Sequence, residues 1–292
     1  MYELVRAGEK SWYIDCPVKI GIYQADESGV YLIDSGGDKD AGRRVRKILD
    51  EQGWTPRGFL ITPSNADHIG GNRYLQQQYG CKVFSAGIEA AFTCHPILEP
   101  SFLYGGYPFA ELRHKFLMAQ PSDVTPFSHP DFPKEVALLP LPGHFFDMVG
   151  FRLPDGVVFL ADCLTSAATL DKYKISFIYD VKAYLETLDM VMTLEAPLFV
   201  PAHAQAETDI RPLAQYNRDK VMEVAERITA LCGQPIGFET LLQRLFTEYG
   251  LQMTYEQYVL VGSTVRSYLS WLKDAGALTA RFEDNLFLWE KA

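Results

Sequence analysis

The chain has 292 residues, 48% of them hydrophobic, and a formal net charge of −10. That length supports a large core plus a smaller second unit, and the charge works against non-specific binding to nucleic acid or to an anionic membrane. No apolar run reaches membrane-spanning length, Met1 to Cys16 carries charges where a signal peptide needs an apolar centre, and the five cysteines form no Cys-x-x-Cys pair. These features argue against a disulfide framework and a thiolate zinc finger, and they predict a cytoplasmic protein.

Residues 2–6, 12–14, 20–24 and 30–33 read as short antiparallel strands separated by turns such as Asp26-Glu27-Ser28-Gly29. Residues 41–52 place Val45, Ile48 and Leu49 between Arg and Lys, the pattern of an amphipathic helix laid on a sheet. A buried strand at 58–61 runs into the polar loop Thr62-Pro63-Ser64-Asn65-Ala66, then Asp67-His68, and a helix opens at Ile69-Gly70-Gly71. Helix at 72–79, strand at 82–85 and a helical turn at 87–92 continue the alternation expected of an α/β layered domain.

Residues 93–135 break this rhythm with seven prolines and the run Phe102-Leu103-Tyr104-Gly105-Gly106-Tyr107-Pro108-Phe109. An irregular insert of this length predicts a lid over a site or an interface between subunits, with aromatics that simply pack in the core as the alternative. Three of the six histidines, His95, His114 and His129, lie in it, and one of them could swing in as a replacement ligand.

Strands resume at 136–141, followed by Pro142-Gly143-His144, then at 148–153, the Pro154-Asp155-Gly156 turn, and 157–161 ending at Asp162. Phe145 and Phe146 are expected to floor a pocket or fill core, and Cys163, one residue past Asp162, to point away and pack. Tyr173, Lys174 and Tyr179 are candidate substrate contacts before a helix at 181–194, and a strand at 198–202 ends in Pro201-Ala202-His203. A long helix spans 211–231 with Pro212 in its first turn. Beyond it come a helix at 238–246, one at 254–273 capped by Thr254 with Gln257 three residues on, and a hairpin at 277–289. That order predicts a winged-helix-like module over 212–292. From Leu213 to Ala292 there are 8 Lys and Arg against 10 Asp and Glu, the wrong balance for a nucleic-acid reader, so packing or dimerisation is its expected role.

Four strand ends thus carry metal-capable side chains: Asp67-His68, His144, Asp162 and His203. Taken alone, Asp67 is an ordinary helix N-cap and His68 an ordinary surface residue. Four such ends in a chain with six histidines predict a metal or hydrolytic centre instead.

Ile33-Asp34-Ser35-Gly36, Thr62 to His68, Gly143-His144, Asp162 and Pro201-Ala202-His203 occur in an order and spacing that resemble the five motifs of the metallo-β-lactamase fold hydrolases. The resemblance covers residues 1–211 and implies a four-layer αββα sandwich, with 212–292 as a smaller α+β domain. The family's second motif is usually His-x-His-x-Asp-His, and here Pro63 and Asn65 stand at its first two histidine positions. By the resemblance, those two positions and His144 would hold a first metal; Asp67, His68 and His203 would hold a second, Asp162 would bridge them, and Asp34 would orient the metal loop through hydrogen bonds. Proline has no donor atom and an amide oxygen is a poor zinc ligand, so one firmly held ion is expected.

The resulting expectation is a hydrolase with one divalent ion, zinc by ligand preference although iron or manganese suits the same atoms, bound by Asp67, His68, Asp162 and His203. His144 would serve as a residual first-site ligand, a general base or an anchor for substrate. The substrate expected is a small ester, thioester or lactone, and the partner a second copy meeting through the insert or the C-terminal domain. A non-catalytic metal-binding scaffold is the rival reading, and an RNA nuclease, suggested by family members with a similar C-terminal module, is the weaker one.

Overall fold

Four antiparallel strands open the chain, β1 (Glu3–Arg6), β2 (Ser11–Asp15), β3 (Ile20–Gln24) and β4 (Gly29–Ile33), in the computed structural model, which describes residues 2–292. Met1, the first residue of the expected first domain, lies outside the described residues. The path then turns parallel, and parallel neighbours require crossovers. Helix α1 (Lys39–Gln52) leads to β5 (Thr55–Leu60), and α2 (Ala66–Ile69) with α3 (Asn72–Tyr79) leads to β6 (Lys82–Ser85). Asp38 caps α1 by accepting from the Ala41 amide, and Gly53, at φ 70°, ends it. Val45 and Leu49 of α1 bury against Ile22, Leu32 and Phe59, which closes the outer face of this sheet.

The insert is not the irregular loop that its prolines suggest. It holds the end of α4 (Gly87–Cys94), α5 (Leu98–Tyr104), a single 3-10 turn at Ala110–Leu112, and β7 (Val124–Pro126), the seventh strand of the sheet. Pro100 is tolerated because it falls in the first turn of α5, where backbone amides have no intrahelical partner. Phe102 packs edge-on against Phe92, Phe145 and Phe146, and that apolar burial is what orders the segment.

The second sheet comprises β8 (Ala137–Pro140), β9 (Val149–Arg152), β10 (Val158–Thr165) and β11 (Phe199–His203), in the order β11-β10-β9-β8. It faces the first through a seam of Ile33, Leu60 and Phe84 against Phe151, Phe159 and Val200. Between β10 and β11 run α6 (Ala167–Tyr173) and α7 (Val181–Val191), and α8 (Arg211–Leu231) follows β11. With α7 and α8 on the outer face, the layers are helix, sheet, sheet, helix, the αββα arrangement expected. Buried Asn217 pins α8 to the end of β10: its Oδ1 accepts from the Thr165 amide (2.9 Å) and its Nδ2 donates to the Thr165 carbonyl (2.9 Å).

The C-terminal segment contains β12 (Ile236–Gly237), α9 (Phe238–Tyr249), α10 (Tyr255–Asp274), β13 (Leu278–Glu283) and β14 (Leu286–Lys291), with the strands in the order β12-β14-β13. One continuous core runs from Leu160 and Phe199 under the second sheet through Val221 and Ile228 of α8 to Leu241, Tyr268 and Trp289. A smaller cluster joins Leu103, Leu112 and Leu117 of the insert to Val259 of α10. Among the described residues, no helix is long and apolar enough to cross a membrane.

Candidate metal centre

The loop after β5 is shaped from beneath by the loop after β4. Asp34 sits at φ 65°, a left-handed conformation uncommon for a residue with a side chain. There its carboxylate accepts from the Thr62 amide (2.9 Å) and hydroxyl (2.6 Å), and its Oδ2 lies 2.8 Å from Nδ1 of His68. With Nδ1 bonded to that carboxylate, Nε2 is the nitrogen that His68 turns toward the centre. The chain then leaves His68 across the backbone of Ser35 to Gly37, where a Cβ on Gly70 would stand 2.2 Å from the Gly37 carbonyl carbon and one on Gly71 2.3 Å from the Ser35 oxygen. Only glycine permits that approach.

Asp162 and His203 come from the paired strands β10 and β11. The register between them shifts on both sides of Ala161, itself at φ 50°, and this irregularity re-aims the strand at Asp162. His203 is the last residue of β11. Its neighbours on both sides are held by Lys19, which is almost wholly buried: the Lys19 amide donates to the Ala202 carbonyl (3.1 Å) and its Nζ to the Ala204 carbonyl (2.6 Å). His144 is placed by the Gly143 carbonyl, which accepts from the amides of Tyr179 (2.9 Å) and Asp180 (3.0 Å).

These elements bring all five metal-capable residues together. Asp162 is central: Oδ1 lies 3.0 Å from Nε2 of His68, and Oδ2 lies 3.2 Å from Nε2 of His203 and 3.4 Å from Nε2 of His144. Asp67 Oδ2 is 3.4 Å from Nε2 of His203. Asp67, His68 and His203 each offer a ligand atom within 4.8 Å of the others. Nε2 of His68 and Oδ1 of Asp162 are buried with no hydrogen-bond partner among the described residues, although they are 3.0 Å apart. Buried polar atoms are rarely left so, and a carboxylate oxygen and an imidazole nitrogen that converge outside hydrogen-bond geometry fit a divalent cation. His68 and Asp162 form the closed floor, whereas the side chains of Asp67 (40% exposed) and His203 (30%) open to solvent.

The electrostatics agree with that fit. Burial works against charge on every member, yet the opposed charges prevail: His203 and His68 hold Asp162 well below the ordinary carboxylate range, and Asp162, Asp34 and Asp67 raise His68 well above the imidazole range. Burial is the largest single influence on His203 and lowers it, but Asp162 and Asp67 together outweigh it and lift the group to about 10. His144 goes the other way, lowered chiefly by burial. A metal ion bound among these groups would supply the positive charge that the carboxylates favour and would displace imidazolium protons.

The other candidates lie elsewhere. His95 caps the end of α4, His114 pairs with Glu256 (3.2 Å) and His129 lies 3.7 Å from Asp131, so no histidine of the insert reaches the centre. Cys163 packs in the core away from the site, where burial pushes its thiol up. Phe145 is core, and Phe146 packs at a tilt of 33° against Tyr179, with 4.0 Å between centroids. Tyr179 lines a cavity of about 760 Å³ between α5, α7 and α10, which none of the five metal-capable residues lines. A second cavity, about 470 Å³, begins at Ala204 beside His203 and is lined by Ser166, Pro212 and Leu213. Sequence reasoning missed Lys19, Glu89 and Glu99. Nothing in a lone charged residue signals that it folds inward, although Glu89 and Glu99 do each sit in an otherwise apolar stretch.

The model of the Metallo-beta-lactamase superfamily matches residues 13–203, a span that begins in β2 and ends on His203. A "Hydroxyacylglutathione hydrolase" from Nitrobacter hamburgensis is 28% identical over 148 residues, 48% of this chain and 49% of that protein. A namesake from a Bradyrhizobium species is 48% identical over 44 residues, 15% of this chain and 17% of that protein. The chain therefore spans about half the length of the first curated relative and less of the second. Among solved structures, a metallo-beta-lactamase family protein from Thermus thermophilus superposes with TM-score 0.73 at 18% identity, over 97% of this chain and 99% of that one. A beta-lactamase domain protein from Burkholderia ambifaria does so with TM-score 0.74 at 15% identity, over 99% and 94%. Both likenesses concern the fold, and they extend through the C-terminal segment. With the family match covering most of the chain and the five motif residues gathered at one point, this protein belongs to the metallo-beta-lactamase superfamily.

Proposed function

We propose that the chain is a metal-dependent hydrolase that holds one divalent ion between Asp67, His68, Asp162 and His203, and cleaves a small ester, thioester or lactone. Zinc suits two imidazoles and two carboxylates best, and iron or manganese would accept the same atoms. The observation that carries this reading is the pair of orphaned atoms, Nε2 of His68 and Oδ1 of Asp162, facing one another at the floor of an opening framed by Asp67 and His203. A bound divalent ion supplies Lewis acidity and lowers the pKa of water from about 15.7 to about 7.

The residues of the chain do the rest. Asp34 fixes the His68 tautomer, and Asp162 neutralises charge at the centre. His144, 3.4 Å from Asp162 and 14% exposed, is placed to take up a proton at Nε2 or to anchor a polar group of the substrate. The two curated relatives are named for hydrolysis of an acylated thiol, which supports a thioester ahead of the other carbonyl compounds. The acidic balance of 212–292 supports a packing role for a winged-helix-like C-terminal domain over RNA cleavage.

Metal content per chain, measured together with turnover on a panel of thioesters, esters and lactones, tests this reading. Hydrolysis of at least one class, lost on chelation and in Asp162→Ala and His203→Ala, is the expected result. A bound ion with no turnover on any class would leave the scaffold reading, for which the loss of histidine at Pro63 and Asn65 speaks.

A further inference from the structure

The least expected groups in this interior are two glutamates. Glu89, in the first turn of α4, is 1% exposed, and Glu99, in the first turn of α5, is 5% exposed. Burying a carboxylate is costly unless its oxygens are well bonded, and an apolar residue would fill either position at lower cost. Every hydrogen bond found at these two carboxylates comes from a donor on a loop beside the metal centre. Oε2 of Glu89 accepts from the Ser64 amide (2.8 Å) and from the Ser64 hydroxyl, and Oε1 accepts from the Asp147 amide (3.0 Å). Oε1 of Glu99 accepts from the Asn65 side-chain amide (2.9 Å), and Oε2 from the Ala66 amide (3.1 Å).

Ser64, Asn65 and Ala66 are the three residues directly before Asp67-His68, and Asp147 lies three residues after His144. Glu89 therefore bridges the loop that carries two ligands to the loop that carries His144. Gly87 allows the bridge to close: it sits at φ 56°, and a Cβ there would stand 2.1 Å from Oδ2 of Asp147. That same Oδ2 accepts from the Ile88 amide (2.8 Å), so α4 and the His144 loop hold each other reciprocally.

We propose that Glu89 and Glu99 are positioning residues of the metal centre. Their hydrogen bonds tie the 62–66 loop to the His144 loop, in the place where an ion between residues 63, 65 and 144 would otherwise join them. The idea rests on the one-ion reading for its interpretation, but the clamp can be measured without any ion. Both oxygens of each carboxylate are filled by donors, so neither glutamate is a ligand in waiting. Asn65 joins the clamp through its amide nitrogen alone, and its buried Oδ1 has no hydrogen-bond partner among the described residues.

Amide hydrogen exchange on the metal-free protein, with zinc affinity by chelator competition, tests the clamp in Glu89→Gln, Glu99→Gln, Glu99→Ala and the loop-side variant Asn65→Ala. The expected result is exchange at least about tenfold faster at residues 64–68 and 147, with β5 and β10 unchanged, and zinc affinity weaker by about 10–100-fold. Glu99→Gln, which keeps one acceptor but turns a donor on the other loop amide, should fall between wild type and Glu99→Ala. Unchanged loop exchange in variants that keep their core protection would overturn the proposal, as would loop exchange that rises with zinc affinity unaltered. If the glutamate variants do not fold, Asn65→Ala, which leaves both carboxylates in place, decides by the same readouts. Two ions per wild-type chain would refute the one-ion reading independently, by a count that the exchange data do not enter.

Discussion

Oδ2 of Asp34 lies 2.8 Å from Nδ1 of His68, and that contact decides which ring nitrogen faces the centre. Asp34 does not point into the opening; it acts through the imidazole and through Thr62, whose amide and hydroxyl it also binds. Replacing it by Ala frees the ring to take the other tautomer. The expected outcome for Asp34→Ala is zinc affinity weaker by about 10–100-fold, read by competition with a chromophoric chelator, with the ion count at saturation unchanged.

Metal binding should release protons. In the metal-free protein His203 is held up to about 10 and His68 well above its ordinary value, because the charges of Asp162 and its neighbours outweigh burial. A cation must displace those protons, so apparent affinity rises with pH across the neutral range, by about tenfold per unit for each proton released. Chelator competition at several pH values measures the slope, and an affinity independent of pH would show that the imidazoles are not the atoms displaced.

The buried glutamates set an opposite kind of limit. Burial, the largest influence, pushes Glu89 up to about 7 and Glu99 up to about 8, against the pull of their donors. A carboxyl whose folded pKa lies above its unfolded value near 4.5 binds more protons when folded, so its contribution to stability falls as pH rises from about 4.5 to 8. In chelated protein, the stability difference between wild type and Glu99→Gln should shift against wild type over that range, by a few kcal/mol at most. Urea unfolding at both ends of the range gives the difference, and a shift of the other sign would contradict the assignment.

Gly143 is the backbone position on which His144 depends. It adopts φ 120°, and a Cβ there would stand 2.3 Å from the Tyr184 amide nitrogen and 2.4 Å from its Cα. Gly143→Ala must therefore push the His144 loop off α7. The expected cost is about 1–3 kcal/mol of unfolding free energy, seen as a lower urea midpoint, with turnover reduced more than zinc affinity because His144 moves and the four ligands do not.

His144→Ala tests the proton-handling role directly. If His144 is the base or the anchor, turnover drops by about 10²–10⁴-fold while one ion remains bound, as elemental analysis would show. Loss of the ion together with activity would make His144 a ligand in its own right.

Most of the layered architecture was legible in the sequence because it rests on local periodicity. Alternating residues in β2 to β4, the Val45 and Leu49 stripe of α1, the Thr254 cap of α10 and the Asp155-Gly156 turn each carry their own signal over a few positions. The regular elements of the insert were hidden for the same reason: prolines mark local irregularity, but α5 and β7 are held by contacts with Phe145, Phe146 and Val83, which are distant in the chain. The likeness of strand ends named Asp67, His68, Asp162 and His203, yet Glu89 and Glu99 went unread, since a charged residue in a helix is usually on the solvated side.

By itself, the sequence determined which side chains could bind a metal, that two customary histidines are absent, and roughly where each strand stops. Only the tertiary structure decided that Asp34 reaches His68, that Ala161 turns Asp162 inward, and that two buried glutamates take hydrogen bonds from Ser64, Asn65, Ala66 and Asp147. The reason is physical. Donor chemistry and periodicity belong to single residues and their near neighbours, whereas convergence within about 3 Å and the burial of an unpaired oxygen depend on how segments a hundred residues apart pack against one another.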